Sequence, residues 1–281
     1  MTRMFSALVL IPIVVGTIWF LPSYATLMLA LAAAVLAFGE YRTIAQALGA
    51  EVNAGIGGTA VVLTCITTAA AGLTDSYFSF HGERWQPMGD NAVYLVFMAA
   101  LVVTGGLAVG AMRPGRDVLA SVSATLFAPV YIGLPLGALA GVRNLPGIGR
   151  EVILLLFAVI VVSDSAQYYT GRAFGRRPLA PAISPKKTVE GAIGGVLFGT
   201  LAMAAGGHYL LASPIWLLTL AGAVVSLLGI VGDLFESLLK RSAGIKDSSN
   251  LIPGHGGVLD RIDSWLFAAP VYYIFVRFVA S

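Results

Sequence analysis

Nine apolar runs follow one another through the 281 residues, each close to the roughly 20 residues that carry a helix across bilayer hydrocarbon. They are Phe5–Pro22, Tyr24–Gly39, Ala54–Leu73, Asn91–Met112, Val118–Val142, Val152–Gly171, Gly191–Ser213, Ile215–Gly232 and Ser264–Ala280. Nine spans leave little chain for a separate soluble domain. The expected fold is therefore all-α: one polytopic integral membrane domain over residues 1–281, with a polar cavity facing the cytoplasm. Composition agrees, since 11% of residues are charged against about 25% in soluble domains.

The charges are distributed unevenly. With the N-terminus inside, the connectors on that side hold Arg3, Arg42, Arg113, Arg116, Arg172, Arg176, Arg177, Lys186, Lys187, Lys240, Arg241, Lys246 and Arg261. The other side keeps Arg84, Arg143, Arg150 and Arg277. Thirteen against four follows the excess of Lys and Arg in cytoplasmic loops, so the sequence pI near 9.1 reads as topology rather than nucleic-acid binding. A multi-pass protein of the cell's inner (plasma) membrane is expected, with the N-terminus and the active site cytoplasmic. Arg3 ahead of the first apolar run imitates a secretory signal, but no small-x-small cleavage site follows and further spans come at once. Cys65 stands alone inside an apolar run, which excludes disulfides and thiolate metal sites.

The halves differ in kind. Residues 1–150 carry sparse charge in connectors and read as mainly structural spans, whereas residues 151–281 bring polar groups into the spans and read as the catalytic half. Asp164, in VVSDSAQYYTGR, is an acid inside a span and away from its end. In ISPKKTVEG, Ser184, Lys186, Lys187, Thr188 and Glu190 lead into a helix. Free N–H groups there, beside lysine and hydroxyl groups, make an anion site; the plainer reading is a basic patch and a helix cap. In GDLFESLLKRSAGIKD, Asp233, Glu236, Ser237 and Lys240 fall on one helical face. Asp233 directly follows an apolar span, where an acid is expensive and is a functional candidate by default. In PGHGGVLDRID, the glycines permit tight bends and close approach, and Asp260 and Asp263 lie one helical turn apart with Arg261 between them. Asp260 could alternatively be an ordinary N-cap, and His255 a turn residue.

Together these groups suit one chemistry. Asp233, Asp260 and Asp263 are hard oxygen donors that favour Mg²⁺ over zinc. Lys186, Lys187, Lys240, Arg241 and Lys246 offer positive charge to phosphates. Metal and phosphate chemistry at a membrane surface follows from the residues themselves.

The stretch Ser237–Asp263 resembles the signature of the phosphatidate cytidylyltransferases (CDP-diacylglycerol synthases) through Ser237, Lys240, Arg241, Lys246, Asp247, Pro253, His255, Gly256, Gly257, Asp260, Arg261 and Asp263. SDSAQYYTGRAFGRRPLAPAISPKKTVEG is similar to that family's preceding block. The resemblance runs from about Val152 to the C-terminus; the N-terminal half is similar in hydropathy and size alone. It implies transfer of the cytidylyl group of CTP to phosphatidate, giving CDP-diacylglycerol and pyrophosphate. Asp233 and Asp260 would then hold the Mg²⁺. Asp233, Asp260, Lys240, Arg241, Lys246 and Asp263 would form the catalytic set. Ser184, Lys186, Lys187, Thr188, Glu190, Ser237, His255, Gly256, Gly257, Arg261 and Asp164 would bind substrate. The partners are CTP, phosphatidate and bilayer lipid, with a homodimer also entertained and no nucleic acid.

Two other readings are carried. A CTP-dependent lipid or polyprenol kinase would move the γ-phosphate instead. A transporter would place charges in the middle of several spans and show corresponding broken helices in two halves, and no such symmetry is visible. The DG-x2-AR pattern of CDP-alcohol phosphotransferases is also missing.

Overall fold

A computed structural model describes residues 2–74, 88–110, 115, 117–252, 254 and 256–280, with backbone alone considered at 2–7, 72–74, 88–91 and 280. Among them, eight helices are long and apolar enough to cross a membrane, and Leu8–Phe20 is a shorter apolar helix. The chain is thus an all-α, multi-pass membrane protein.

In chain order the helices are α1 (Thr2–Phe20), α2 (Ser23–Ala47), α3 (Ala54–Thr74), α4 (Met88–Gly110), α5 (Val118–Ala128), α6 (Leu134–Arg143), α7 (Gly149–Phe174), α8 (Val189–Leu210), α9 (Ile215–Ser242) and α10 (Leu259–Ala280). A hairpin of β1 (Pro178–Ala180) and β2 (Ser184–Thr188) joins α7 to α8. It is the one pair of strands among the described residues, in a stretch that the sequence marks as the lead into a helix.

Helices α5 and α6 form a single membrane-length rod, Val118–Arg143, broken by a π turn at Pro129–Gly133. Proline lacks the N–H that a regular helix needs, and such single-turn widenings often mark functional positions. On the far side of the break, Gly133 and Gly137 let α6 lie directly on α3. A Cβ on Gly137 would stand 2.6 Å from the Cys65 carbonyl oxygen, and one on Gly133 2.6 Å from that of Val61. Helices that gain no hydrophobic drive from lipid associate through such backbone-to-backbone contact.

Several helices outrun the spans expected of them. α2 continues through Glu40, Tyr41 and Ile44 to Ala47, α9 runs ten residues past Gly232 to Ser242, and α10 begins at Leu259 rather than Ser264. A hydropathy window ends where polar residues begin, but a helix keeps its own backbone bonded and continues wherever its polar side chains find partners inside the bundle. Consequently Asp233 lies in mid-helix, and Asp260 and Asp263 occupy the first turns of a helix, in keeping with their one-turn spacing.

The ends of the bundle are chemically distinct. At one end Arg143, expected as a loop charge, is buried; its Nε and Nη2 donate to the Ile18 and Leu21 carbonyls, both at 3.0 Å, and close the C-terminus of α1. Arg84, Arg113 and Arg116 lie outside the described residues. At the opposite end gather the hairpin, the C-terminal part of α9, the start of α10 and the last turns of α2. This is the polar end.

Candidate functional site

The polar end is assembled by a crossing of α9 and α10. Gly232 permits it: a Cβ there would meet the Asp263 carbonyl oxygen at 2.5 Å and the Phe267 ring at 3.2 Å. The contact sets Asp233 beside Asp263, and these acids, together with Asp164 of α7, lie close enough to interact electrostatically. Asp164 is exposed at the rim.

Charge pairs then run inward. Lys187 of β2 donates to Asp233 Oδ2 at 2.5 Å, and Ser237 Oγ approaches Asp233 Oδ1 at 3.4 Å. One turn deeper, Lys240 Nζ donates both to Glu236 Oε2 at 2.6 Å and to Asp260 Oδ1. Side-chain exposure falls along this line, from 31% at Asp233 through 16% at Lys187, 10% at Lys240 and 5% at Asp260 to 0% at Glu236. The site is a wet edge above a dry floor. Lys240 therefore links α9 to α10 where water cannot substitute for either carboxylate.

Asp260 is engaged on both oxygens. Its Oδ2 accepts from Ser248 N at 2.9 Å, Ser248 Oγ at 2.8 Å and Gly257 N at 2.8 Å. It organises the connector between α9 and α10, which is pinched by an Ile252 N–H to Gly256 carbonyl bond of 2.8 Å. Gly256 sits at φ +81°, in the left-handed region that favours glycine. Gly257 has a different reason: a Cβ there would collide with Ser248 Oγ and both carboxylate oxygens of Glu40. The approach this glycine permits is to the chain's own acid.

Other expected residues form the frame or the rim. Thr188 caps α8, accepting from Gly191 N at 3.1 Å. Glu190 accepts from the Arg176 and Arg177 amides at 3.0 and 3.2 Å, clamping the hairpin onto the start of α8. Ser184 pairs with Ala180 in the hairpin. Arg241 donates through Nη1 to the Ile245 carbonyl at 3.2 Å and through Nε to the Ile183 carbonyl at 3.4 Å, joining hairpin and connector. Lys186, Lys246 and Arg261 are exposed around this end. His255 lies outside the described residues.

Three buried residues of this end escaped the sequence reading of the site. Glu40 of α2 is 6% exposed and accepts from Ser249 Oγ (2.6 Å), Val258 N (2.9 Å), Leu259 N (2.7 Å) and Ser248 Oγ (2.9 Å). Glu236 was noted on its helical face but not placed in the site. Tyr131, in the π turn, is 4% exposed, stacks on Phe127 at 5.4 Å and meets Phe235 edge-on at 5.5 Å. Its hydroxyl has no hydrogen-bond partner among the described residues and lies near Glu236 and Asp263. Glu40 carried a usable signal: an acid at the end of an apolar run is a functional candidate by default.

The donor chemistry suits a hard divalent cation. Five carboxyl groups (Asp164, Asp233, Glu236, Asp260, Asp263) and two ammonium groups (Lys187, Lys240) lie together here, a set of oxygen donors with no thiolate or imidazole among them. Among the described residues no three His, Cys, Asp or Glu side chains form a ready cage. Mg²⁺ does not require one, because it commonly uses one or two carboxylates and completes its shell with water and substrate phosphates. Each of Asp233 and Asp260 holds a lysine ammonium on one oxygen; the other oxygen of Asp233 is met by Ser237 Oγ at 3.4 Å, whereas that of Asp260 accepts three hydrogen bonds, so Asp233 is the more open of the two donors.

Fold and site together define a multi-pass membrane protein whose one polar end is arranged around carboxylates, lysines and a glycine-bearing connector. The chain belongs to the cytidylyltransferase family, whose profile matches residues 1–279. It is similar to the phosphatidate cytidylyltransferase of Synechocystis sp., 36% identical over 230 residues that make up 77% of this chain and 75% of the relative. The proteins of that name from Aquifex aeolicus (46% over 129 residues, 45% of this chain) and Bacillus subtilis (43% over 147 residues, 52% of this chain) are also similar. These two alignments span 48% and 55% of the relatives, about half of each.

The burial gradient makes a stability prediction. Lys240→Met strands Glu236 and Asp260 together, and removing one partner of a buried ion pair costs about 3–5 kcal/mol. Glu236→Gln leaves Lys240 its bond to Asp260 and should cost clearly less. Thermal unfolding of the two variants in detergent checks the order; a costlier Glu236→Gln would contradict the arrangement.

Proposed function

We propose that this protein transfers the cytidylyl group of CTP to phosphatidate, releasing pyrophosphate and leaving CDP-diacylglycerol in the bilayer. The observation that carries the reading is the line of paired charges from Lys187 and Asp233 to Lys240 and Asp260, in a chain of the cytidylyltransferase family. A phosphatidate phosphate oxygen forms the new bond to the α-phosphorus of CTP. The bond from that phosphorus to the β-phosphate bridge breaks, and pyrophosphate leaves with the electron pair. The nucleophile is already an anion, so the protein needs no side-chain base and no covalent intermediate. Its task is to bring two polyanions together and stabilise the charge between them.

The residues divide that task by depth. Lys186, Lys246 and Arg261 at the exposed rim attract phosphate. Lys187 and Lys240 can release a carboxylate to take up a phosphate oxygen, which links substrate arrival to rearrangement of the pairs. Ser237 stands one turn from Asp233 as a further donor. Asp233 and Asp260 would hold Mg²⁺, with Asp263 and Asp164 adding negative charge nearby. Bound there, the ion would polarise a phosphate oxygen and offset charge in the displacement.

With CTP labelled at the α-phosphate, label should enter the lipid, and β and γ labels should leave as pyrophosphate. A lipid carrying the γ label would establish the kinase reading instead.

Substitutions separate metal ligand from helix cap. Asn caps a helix about as well as Asp, so Asp260→Asn would be nearly silent for a cap. We expect Asp260→Asn and Asp233→Asn each to lower turnover at least about a hundredfold, equivalent to ~2.7 kcal/mol. Lys186→Ala should chiefly raise KM, as expected of a phosphate contact already made in the ground state. Near-normal turnover by Asp260→Asn at limiting Mg²⁺ would remove the metal from that residue.

We further propose that the polar end faces the cytoplasm across the inner membrane, on the support of the thirteen-to-four distribution of Lys and Arg. In a Cys65→Ala background, a cysteine placed at Lys246 should react with impermeant reagents only from the cytoplasmic side. Reaction from outside would overturn both orientation and access to CTP.

A further inference from the structure

Glu40 belongs to the half of the chain read as structural scaffold, yet it accepts four hydrogen bonds at the polar end, as many as Asp260. Its Oε1 accepts from Ser249 Oγ and Val258 N, and its Oε2 from Leu259 N and Ser248 Oγ, all between 2.6 and 2.9 Å. Val258 N and Leu259 N are amides at the very start of α10, which would otherwise lack acceptors. The carboxylate of one helix thus caps another distant in sequence, and it grips the connector through two serines. Gly257 keeps open the space for it.

The contact does not end at the connector. Ser248 Oγ lies 2.9 Å from Glu40 Oε2 and 2.8 Å from Asp260 Oδ2, and the Ser248 amide also donates to Asp260. One hydroxyl proton therefore serves two carboxylates, and whichever it leaves must be balanced by other donors. Glu40 has two backbone amides and the Ser249 hydroxyl to do so. Asp260 has two amides and Lys240. Ser248 is 6% exposed and Glu40 equally so, leaving bulk water little part in the exchange.

We infer that Glu40 is a positioning residue for Asp260: through Ser248 and the first turn of α10, it holds that carboxylate in the orientation the site uses. The inference rests on the proposed role of Asp260 as a metal ligand, and it gives the N-terminal half a part in the chemistry without contact with substrate. Residues that orient a metal ligand typically matter 10–100-fold in metal affinity or activity.

Two readouts test it, one independent of activity. Glu40→Gln keeps shape but presents an amide N–H₂ to two of the four donors. In purified full-length protein in detergent, hydrogen exchange should rise in peptides covering residues 246–260 and stay unchanged in α3 and α6. In turnover assays, the Mg²⁺ concentration for half-activation should rise about 10–100-fold, with little change in KM for CTP. Ser248→Ala, which removes only the shared hydroxyl, should move Mg²⁺ dependence the same way with a smaller effect on exchange. Unchanged exchange at 246–260 in Glu40→Gln would overturn the inference. So would normal Mg²⁺ dependence in both variants, or a general loss of protection across the bundle with normal kinetics. Wild-type protein inactive on CTP and phosphatidate would instead sink the functional reading, and the exchange result would still report on the latch.

Discussion

A single ammonium group held between two carboxylates inside an apolar bundle is the interaction on which the polar end depends. Lys240 joins Glu236 on its own helix to Asp260 on the next, where exposure has fallen to a tenth or less. Such an arrangement is weak evidence for stability, since desolvation offsets most of the attraction. Its consequence is positional. Once α9 and α10 share a buried charge, neither can slide or rotate without stranding one, and the Gly232 contact with Asp263 determines how closely they lie.

The same constraint explains why the connector between α9 and α10 is rich in glycine and serine. Sixteen residues, 243–258, must return the chain to the start of α10 while satisfying two carboxylates, Asp260 and Glu40. Backbone amides do most of this, because they can be aimed without the entropy cost of long side chains. Gly256 supplies the left-handed backbone and Gly257 the clearance. A motif that reads in sequence as a ligand-approach loop is, in the folded chain, first a device for holding the protein's own acids.

The N-terminal half also reaches the polar end. α2 contributes Glu40, and the π turn between α5 and α6 contributes Tyr131, whose hydroxyl has no partner among the described residues and lies near Glu236 and Asp263. A lone polar group in an otherwise apolar half is costly to bury, so its presence is itself information.

Hydropathy alone was enough for the all-α membrane architecture and for most helix positions, because bilayer thickness sets a minimum length for an apolar run and backbone polarity forces it to be helical. Residue type and spacing singled out Asp233, Ser237, Lys240, Asp260 and Asp263 as candidates, since acids and lysines beside apolar spans have few structural reasons to be there. The apolar runs stop short of the helix ends at α2, α9 and α10, where polar residues are buried by neighbours that a local window does not see. Pairings across long separations were invisible for the same reason: Glu40 with Ser248, Lys187 with Asp233, and Lys240 with Asp260 are matched by packing, not by period. Sequence determined which chemical groups the protein carries and that they must lie near a membrane surface. Only the tertiary structure decided which acid faces which cation, because in a bundle that choice is made by where two helices can touch.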